Sequence, residues 1–117
     1  MKRLKSTPTL RPKKHYVIFR VHTDNPEFRP DFLNIRGAIW NSLESWLGES
    51  GLAKANVKFV MNLWNPQKQS GLLSCNPKYV DHVKVALALV HQIGDERVII
   101  QVLRVSGTIK SGMEKSK

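Results

Sequence analysis

Hydrophobic and polar positions alternate in HYVIFRVHT, residues 15–23: Val17, Phe19 and Val21 fall on one side, and Tyr16, Ile18, Arg20 and His22 on the other. A period of two predicts a strand. DNPEFRP, 24–30, interrupts it with two prolines and turn-forming residues. From Asp31 the period becomes helical, with Phe32, Ile35, Ile39, Leu43, Trp46 and Leu47 on one stripe and Gly48 and Gly51 as the expected stop. ANVKFVMNLW, 55–64, alternates through Val57, Phe59, Met61 and Leu63 and predicts a second strand. NPQKQSG is a hairpin-type turn into a short third strand, GLLSC at 71–75. Asn76 and Pro77 suit the cap and first position of a second helix, whose stripe is Val80, Val83, Ala86, Leu87 and Val90 and which Gly94 ends. RVIIQVLRV, 97–105, is a fourth strand, apolar on both faces.

The order β-α-β-β-α-β predicts an α+β fold of the ferredoxin-like or RRM-like kind, a split βαβ sandwich. Right-handed crossovers put both helices on one face of a four-stranded antiparallel sheet. The expected sheet contribution to the core is Val17, Phe19, Val21, Val57, Phe59, Met61, Val98, Ile100 and Val102. The far face then carries Tyr16, Ile18, Val60, Trp64, Ile99 and Leu103, which is too apolar for a face left to water. Either another part of the chain covers it or a protein partner does. Few residues are left over to do so, and these six are the candidate partner-binding residues.

Composition sharpens the picture where charge is concerned. The 117 residues argue for one domain, placed at 15–110 between a flexible basic arm, 1–14, and a short basic tail, 111–117. The net charge of +10 is segregated. Residues 1–14 hold six Lys/Arg and no acid, residues 104–117 hold four against Glu114, and the stretch between is almost balanced. Basic ends on a nearly neutral body point to a polyanionic partner, most simply nucleic acid.

Other classes of chemistry find little support. No apolar run approaches the ~20 residues of a membrane span, and the basic N-terminus lacks the apolar stretch of a secretory signal, so no membrane partner and a cytoplasmic location are expected. Cys75 stands alone, and His15, His22, His82 and His91 show no metal-ligand spacing with it, so no metal or cofactor is assigned to the protein. The loop after the first strand lacks the glycines of a phosphate cradle, and no nucleophile–base arrangement stands out, so no catalytic residue is assigned. The third strand lacks the aromatics on which RRM-type modules stack bases.

RVSGTIKSG, 104–112, closes the last strand. Gly107 permits a sharp left-handed turn, Ser106 and Thr108 bring hydroxyls, and Arg104 and Lys110 bring charge. By spacing it is either a plain strand exit or a small anion cradle.

Ser106-Gly107-Thr108-Ile109-Lys110, directly after an Ile/Val-rich strand, resembles the closing motif of the family of archaeal ribonuclease P protein component 2 and its eukaryotic ribonuclease P/MRP counterpart. Tyr16-Val17-Ile18-Phe19, Gly71-Leu72-Leu73-Ser74-Cys75 and the Ala-Leu-Ala-Leu core of Val83 to Val90 resemble three further segments of that family. The resemblance covers about 15–110 and implies a non-catalytic protein subunit of a ribozyme that removes the 5′ leader of precursor tRNA. It implies Mg2+ held by the RNA and an RRM-like fold. It also implies, as partners, the ribonuclease P RNA, other protein subunits, and a TIM-barrel subunit, protein component 3, in a dimer of heterodimers. The candidate RNA-binding residues are Arg11, Lys13, Lys14, Arg104, Ser106, Gly107, Thr108 and Lys110. The alternative is a protein-interaction module whose basic tails serve only solubility.

Overall fold

The alternating segment at 15–23 becomes the middle of a sheet. In a computed structural model that describes residues 14–107, β1 (His15–Thr23) pairs antiparallel with β3 (Ser70–Cys75) on one side and with β5 (Glu96–Ser106) on the other. β2 (Lys58–Phe59) flanks β3, and β4 (Gln92–Ile93) flanks β5, so the strand order is β2-β3-β1-β5-β4. The sheet thus has five strands where four were expected. The added strand is the two-residue β4, which folds back on β5 through a turn at Gly94 (φ 61°). Two helices, α1 (Phe32–Ala55) and α2 (Val80–Leu89), complete an α+β fold.

The core follows the alternation. Val17, Phe19 and Val21 of β1 are buried with Leu73 and Cys75 of β3 and Val98 and Ile100 of β5. Ile35, Ile39 and Leu43 of α1 and Val83, Ala86 and Leu87 of α2 join the same cluster. Asp31 caps α1 by accepting from the Asn34 N–H at 2.9 Å, which satisfies one of the helix's unpaired donors. The Ser42 hydroxyl donates to the Ala86 carbonyl at 2.6 Å and ties the two helices together.

α1 does not stop at Gly48. Gly48 sits at φ 73° and ψ 173°, a kink, and the helix resumes to bury Leu52 and Ala55 before the left-handed Asn56 (φ 52°) ends it. Trp46, expected on the buried stripe, is 47% exposed, with its ring 6.5 Å from that of His82. α2 also starts later than its cap implied. Asn76 accepts from the Lys78 N–H at 3.0 Å, capping a single 3-10 turn, Pro77–Tyr79, that leads into the helix. The helix ends at Leu89, ahead of Gly94.

The second strand differs most from expectation. Only Lys58 and Phe59 pair with β3; at Val60 the chain leaves the sheet for a 3-10 turn, Met61–Leu63. Met61, expected in the core, is 59% exposed. The reason lies at Gly71, which sits opposite Phe19. A Cβ there would meet Trp64 Cε3 at 2.8 Å and Phe19 Cζ at 3.0 Å, so the missing side chain makes the notch into which Trp64 packs. Trp64 also lies 6.0 Å from the ring of Phe32, which meets Phe59 edge to face at 6.2 Å. The turn that follows is held by Asn65, whose side chain accepts from the Gln67 and Lys68 N–H groups at 3.0 Å each.

Gly71→Ala should destabilise the fold by about 1–3 kcal/mol through overpacking, seen as a lower denaturant midpoint, and Trp64→Leu in the same chain should recover part of that loss. Cys75, 1% exposed, has its thiol pushed up from 9.0 to about 11 by burial. The thiol's contribution is therefore complete below pH 9. Between pH 9 and 11 the unfolded chain ionises first, and stability should fall by at most about 1.4 kcal/mol per pH unit. Unfolding curves of Cys75→Val against the parent across that window should lack this component.

Candidate nucleic-acid interface

Strand register decides where the charges meet. His15 pairs with Cys75, Tyr16 with Ser106, and Lys58 with Ser74. The start of β1, the end of β3, the start of β2 and the end of β5 therefore lie together at one end of the sheet. That end carries Lys14, Lys58, Lys78 and Arg104. The end of α1 is fixed there as well, because the Asn76 N–H donates to the Ala55 carbonyl at 2.8 Å, and this brings in Lys54. The acids of this end are Glu49 and Asp81. Both charged termini join the folded chain here, through Lys14 and Gly107.

The opposite end is nearly balanced. Thr23 pairs with Val98 and Arg20 with Ser70, so the loop after β1 and the β4–β5 turn are neighbours. They bring Asp24, Glu27, Asp31, Asp95 and Glu96 together. Two of the cations nearby are occupied with structure. Arg20 donates to the Lys68 carbonyl at 3.1 Å, and Arg29 to the carbonyls of Pro66 (3.2 Å) and Gln67. With Lys68 and Arg97 also at this end, five acids face four cations, so the sheet is basic where the termini emerge and close to neutral at the far end.

Of the candidate RNA-binding residues, Lys14 and Gly107 are exposed at the basic end, Arg104 is half-buried, and Ser106 is buried on the last residue of β5. The buried Arg104 Nε has no hydrogen-bond partner among the described residues. Gly107 does not use a left-handed backbone; the described residues that do are Gly48, Asn56, Gln69 and Gly94. The sharp turn expected at Gly107 is therefore not made there. Arg11, Lys13, Thr108 and Lys110 lie outside the described residues.

The six candidate partner-binding residues do not form one face. Trp64 packs on the core side, in the Gly71 notch, and Val60 is half-buried where the chain leaves β2. A bulge between Ile18 and Phe19 sets Ile18 opposite Arg104 and Phe19 opposite Val102, which leaves Leu103 as the extra residue of β5. Ile18, with Leu72 beside it, is buried, and Tyr16 is half-buried between Ser74 and Ser106. The exposed apolar residues of the set are Ile99 (67%) and Leu103 (37%), both on β5.

Residues not singled out from the sequence are Lys54, Lys58 and Lys78. Each lies in the nearly neutral middle of the chain, and only strand register gathers them. An open groove of about 690 Å3 between α1 and the His91–Gly94 segment has His91 as its titratable lining residue among those described. The His91 ring nitrogen is already engaged with the Leu89 carbonyl at 3.1 Å. No described helix is long and apolar enough to cross a membrane.

The sequence profile of the Rpp14/Pop5 family matches residues 15–117. The chain is 42% identical over 103 residues to ribonuclease P protein component 2 of Pyrococcus furiosus, covering 88% of this chain and 82% of that protein. The protein of the same name from Pyrococcus abyssi is 38% identical over 103 residues, covering 88% and 83%. That from Methanosarcina mazei is 31% identical over 115 residues, covering 98% and 91%. In fold, the chain is similar to a chain of the cryo-EM structure of yeast ribonuclease MRP, with a TM-score of 0.63, 12% identity, and coverage of 89% and 91%.

Proposed function

The chain belongs to the Rpp14/Pop5 family, and on that footing we propose that it is a protein subunit of ribonuclease P, assembling with RNA and with other protein subunits. The ribonucleoprotein cleaves precursor tRNA to give the mature 5′ end. The chemistry belongs to the RNA and the Mg2+ it holds; the protein contributes binding and shape. Its protein partner is a TIM-barrel subunit, paired with it in a dimer of heterodimers, and the particle works in the cytoplasm. We read the β1-α1-β2-β3-α2-β5 succession, with its β2-β3-β1-β5 order, as a ferredoxin-like core to which β4 is added.

The observation that supports the RNA-binding role is the charge polarity of the sheet. Lys14, Lys54, Lys58, Lys78 and Arg104 collect at the end from which both basic termini leave. A solubility role needs only net charge and has no use for such convergence. Cations placed along one end neutralise successive phosphates, and each releases counterions from the RNA. The arginines at the other end are held by backbone carbonyls and serve the loop instead.

The test is the salt dependence of binding to structured RNA. Lys14→Ala, Lys58→Ala and Arg104→Ala should each lower the slope of log affinity against log salt by about one, with affinity loss nearly uniform across RNA sequences. Lys68→Ala and Arg97→Ala, at the opposite end, should leave the slope unchanged. Equal slopes for both sets would remove the basic end from the interface and favour the protein-interaction alternative.

A further inference from the structure

A pocket opens where β2 breaks off. The chain pairs with β3 only through Lys58 and Phe59 and leaves the sheet at Val60, and the turn that follows carries Met61 outward to 59% exposure. Between this edge and α1 lies a hollow of about 410 Å3, lined by Arg36, Trp40, Val57, Lys58, Phe59 and Met61. Pockets that take small ligands run from about 300 to 1,000 Å3.

Trp40 is the lining residue that the fold does not account for. It is 38% exposed and belongs neither to the core cluster nor to the side chains packed on it, unlike Phe59 and Trp64. Arg36 precedes it by one helical turn on the same side of α1. Both also line a second hollow, of about 260 Å3, beside Gly37. A Cβ at Gly37 would meet nothing within 4 Å, so packing does not demand the glycine, although glycine weakens a helix interior. It keeps the ground beside Trp40 clear.

We propose that the pocket between α1 and β2 takes an unpaired base of the RNA, stacked on Trp40, with the flanking phosphates at Arg36 and Lys58. This rests on the reading of the chain as an RNA-binding subunit of ribonuclease P and adds to it one specific contact. Every base has a flat π-face, and aromatic side chains beside cations are how proteins hold single-stranded nucleic acid. The two cations bracket the pocket. Arg36 stands on the helix side. Val57 and Phe59 turn to the core, so alternation sends Lys58 out by the other face of the strand. A nucleotide chain crossing the edge of β2 meets one and then the other. Among the described residues no carboxylate lines the pocket, which favours a polyanion over a protein segment as occupant. Lys58 also belongs to the basic end of the sheet, so pocket and charged surface are continuous. Charge at that end holds phosphate whether the RNA is paired or not. A base pocket adds a preference for unpaired nucleotides, because a base inside a duplex is already stacked.

The test titrates the full chain into a single-stranded RNA of mixed sequence and into an A-form duplex of the same length. Trp40→Ala should lower affinity for the single strand about tenfold or more and leave affinity for the duplex nearly unchanged. Its salt slope should match the parent's, since the change removes a stack and no charge. Trp40→Phe should recover most of the single-strand affinity. Arg36→Ala should lower the slope by about one. Trp46→Ala, at an exposed tryptophan of the same helix outside this pocket, should bind both RNAs as the parent does. Equal losses for Trp40→Ala and Trp46→Ala, or equal losses on single strand and duplex, would overturn the proposal. So would a Trp40→Ala chain that binds RNA like the parent, including one that instead releases another protein subunit. Those results leave the salt slope and its dependence on Lys14 and Arg104 standing, and with them the reading as a ribonuclease P subunit. A chain that binds neither RNA overturns both.

Discussion

The placement of β1 between β3 and β5 is the constraint on which the rest of the structure depends. Because Val17, Phe19 and Val21 must all enter the core, the strand has one register: a slip of one residue would exchange them for Ile18, Arg20 and His22. That register sets His15 against Cys75 and Tyr16 against Ser106. It therefore also decides that the first and last residues of the folded part are neighbours. The hydrophobic pattern of one strand brings the points where two charged segments attach, Lys14 and Gly107, to one end of the sheet, although it involves none of their charges.

Polarity of the sheet follows from the same pairing. Antiparallel strands return alternately to either end, so the loops sort into two groups. One group inherits Lys54, Lys58, Lys78 and the approaches to both termini; the other inherits the acids of the Asp24–Asp31 loop and the β4–β5 turn. Arg20 and Arg29 offset those acids in part while their guanidinium groups bind carbonyls of the β2–β3 loop. An RNA-binding surface of this kind needs no groove and no stacked aromatics. It needs several cations at one edge, and strand register gathers Lys14, Lys54, Lys58, Lys78 and Arg104 at one end.

Much of this was legible in the sequence, and the losses have physical causes. The alternation of 15–23 and the stripe of Phe32, Ile35, Ile39 and Leu43 each answered to one face of one element, and both are buried as read. The 55–64 alternation misled because Trp64 is needed at the Gly71 notch, so the chain abandons its pleat at Val60 to deliver it. The expected stop at Gly48 misled because its positive φ kinks the helix without ending it. β4 is too short to leave a periodic trace. On β5 the bulge at Leu103 reverses the faces partway, so a strand apolar on both sides does not have one partner-facing side. The cations of the middle segment escaped notice because their meaning is carried by cross-strand register, and charge counted along the chain averages it away.

The central claim is that RNA lies along the basic end of the sheet. It is tested most directly by tethering a hydroxyl-radical reagent to a single introduced cysteine in the assembled ribonucleoprotein, with buried Cys75 inert to the tether. The reagent at Lys58→Cys should cut the RNA at discrete positions, and the same reagent at Asp95→Cys should leave it intact. Strong cleavage from position 95 with none from position 58 would place the RNA at the opposite end of the sheet and contradict the account.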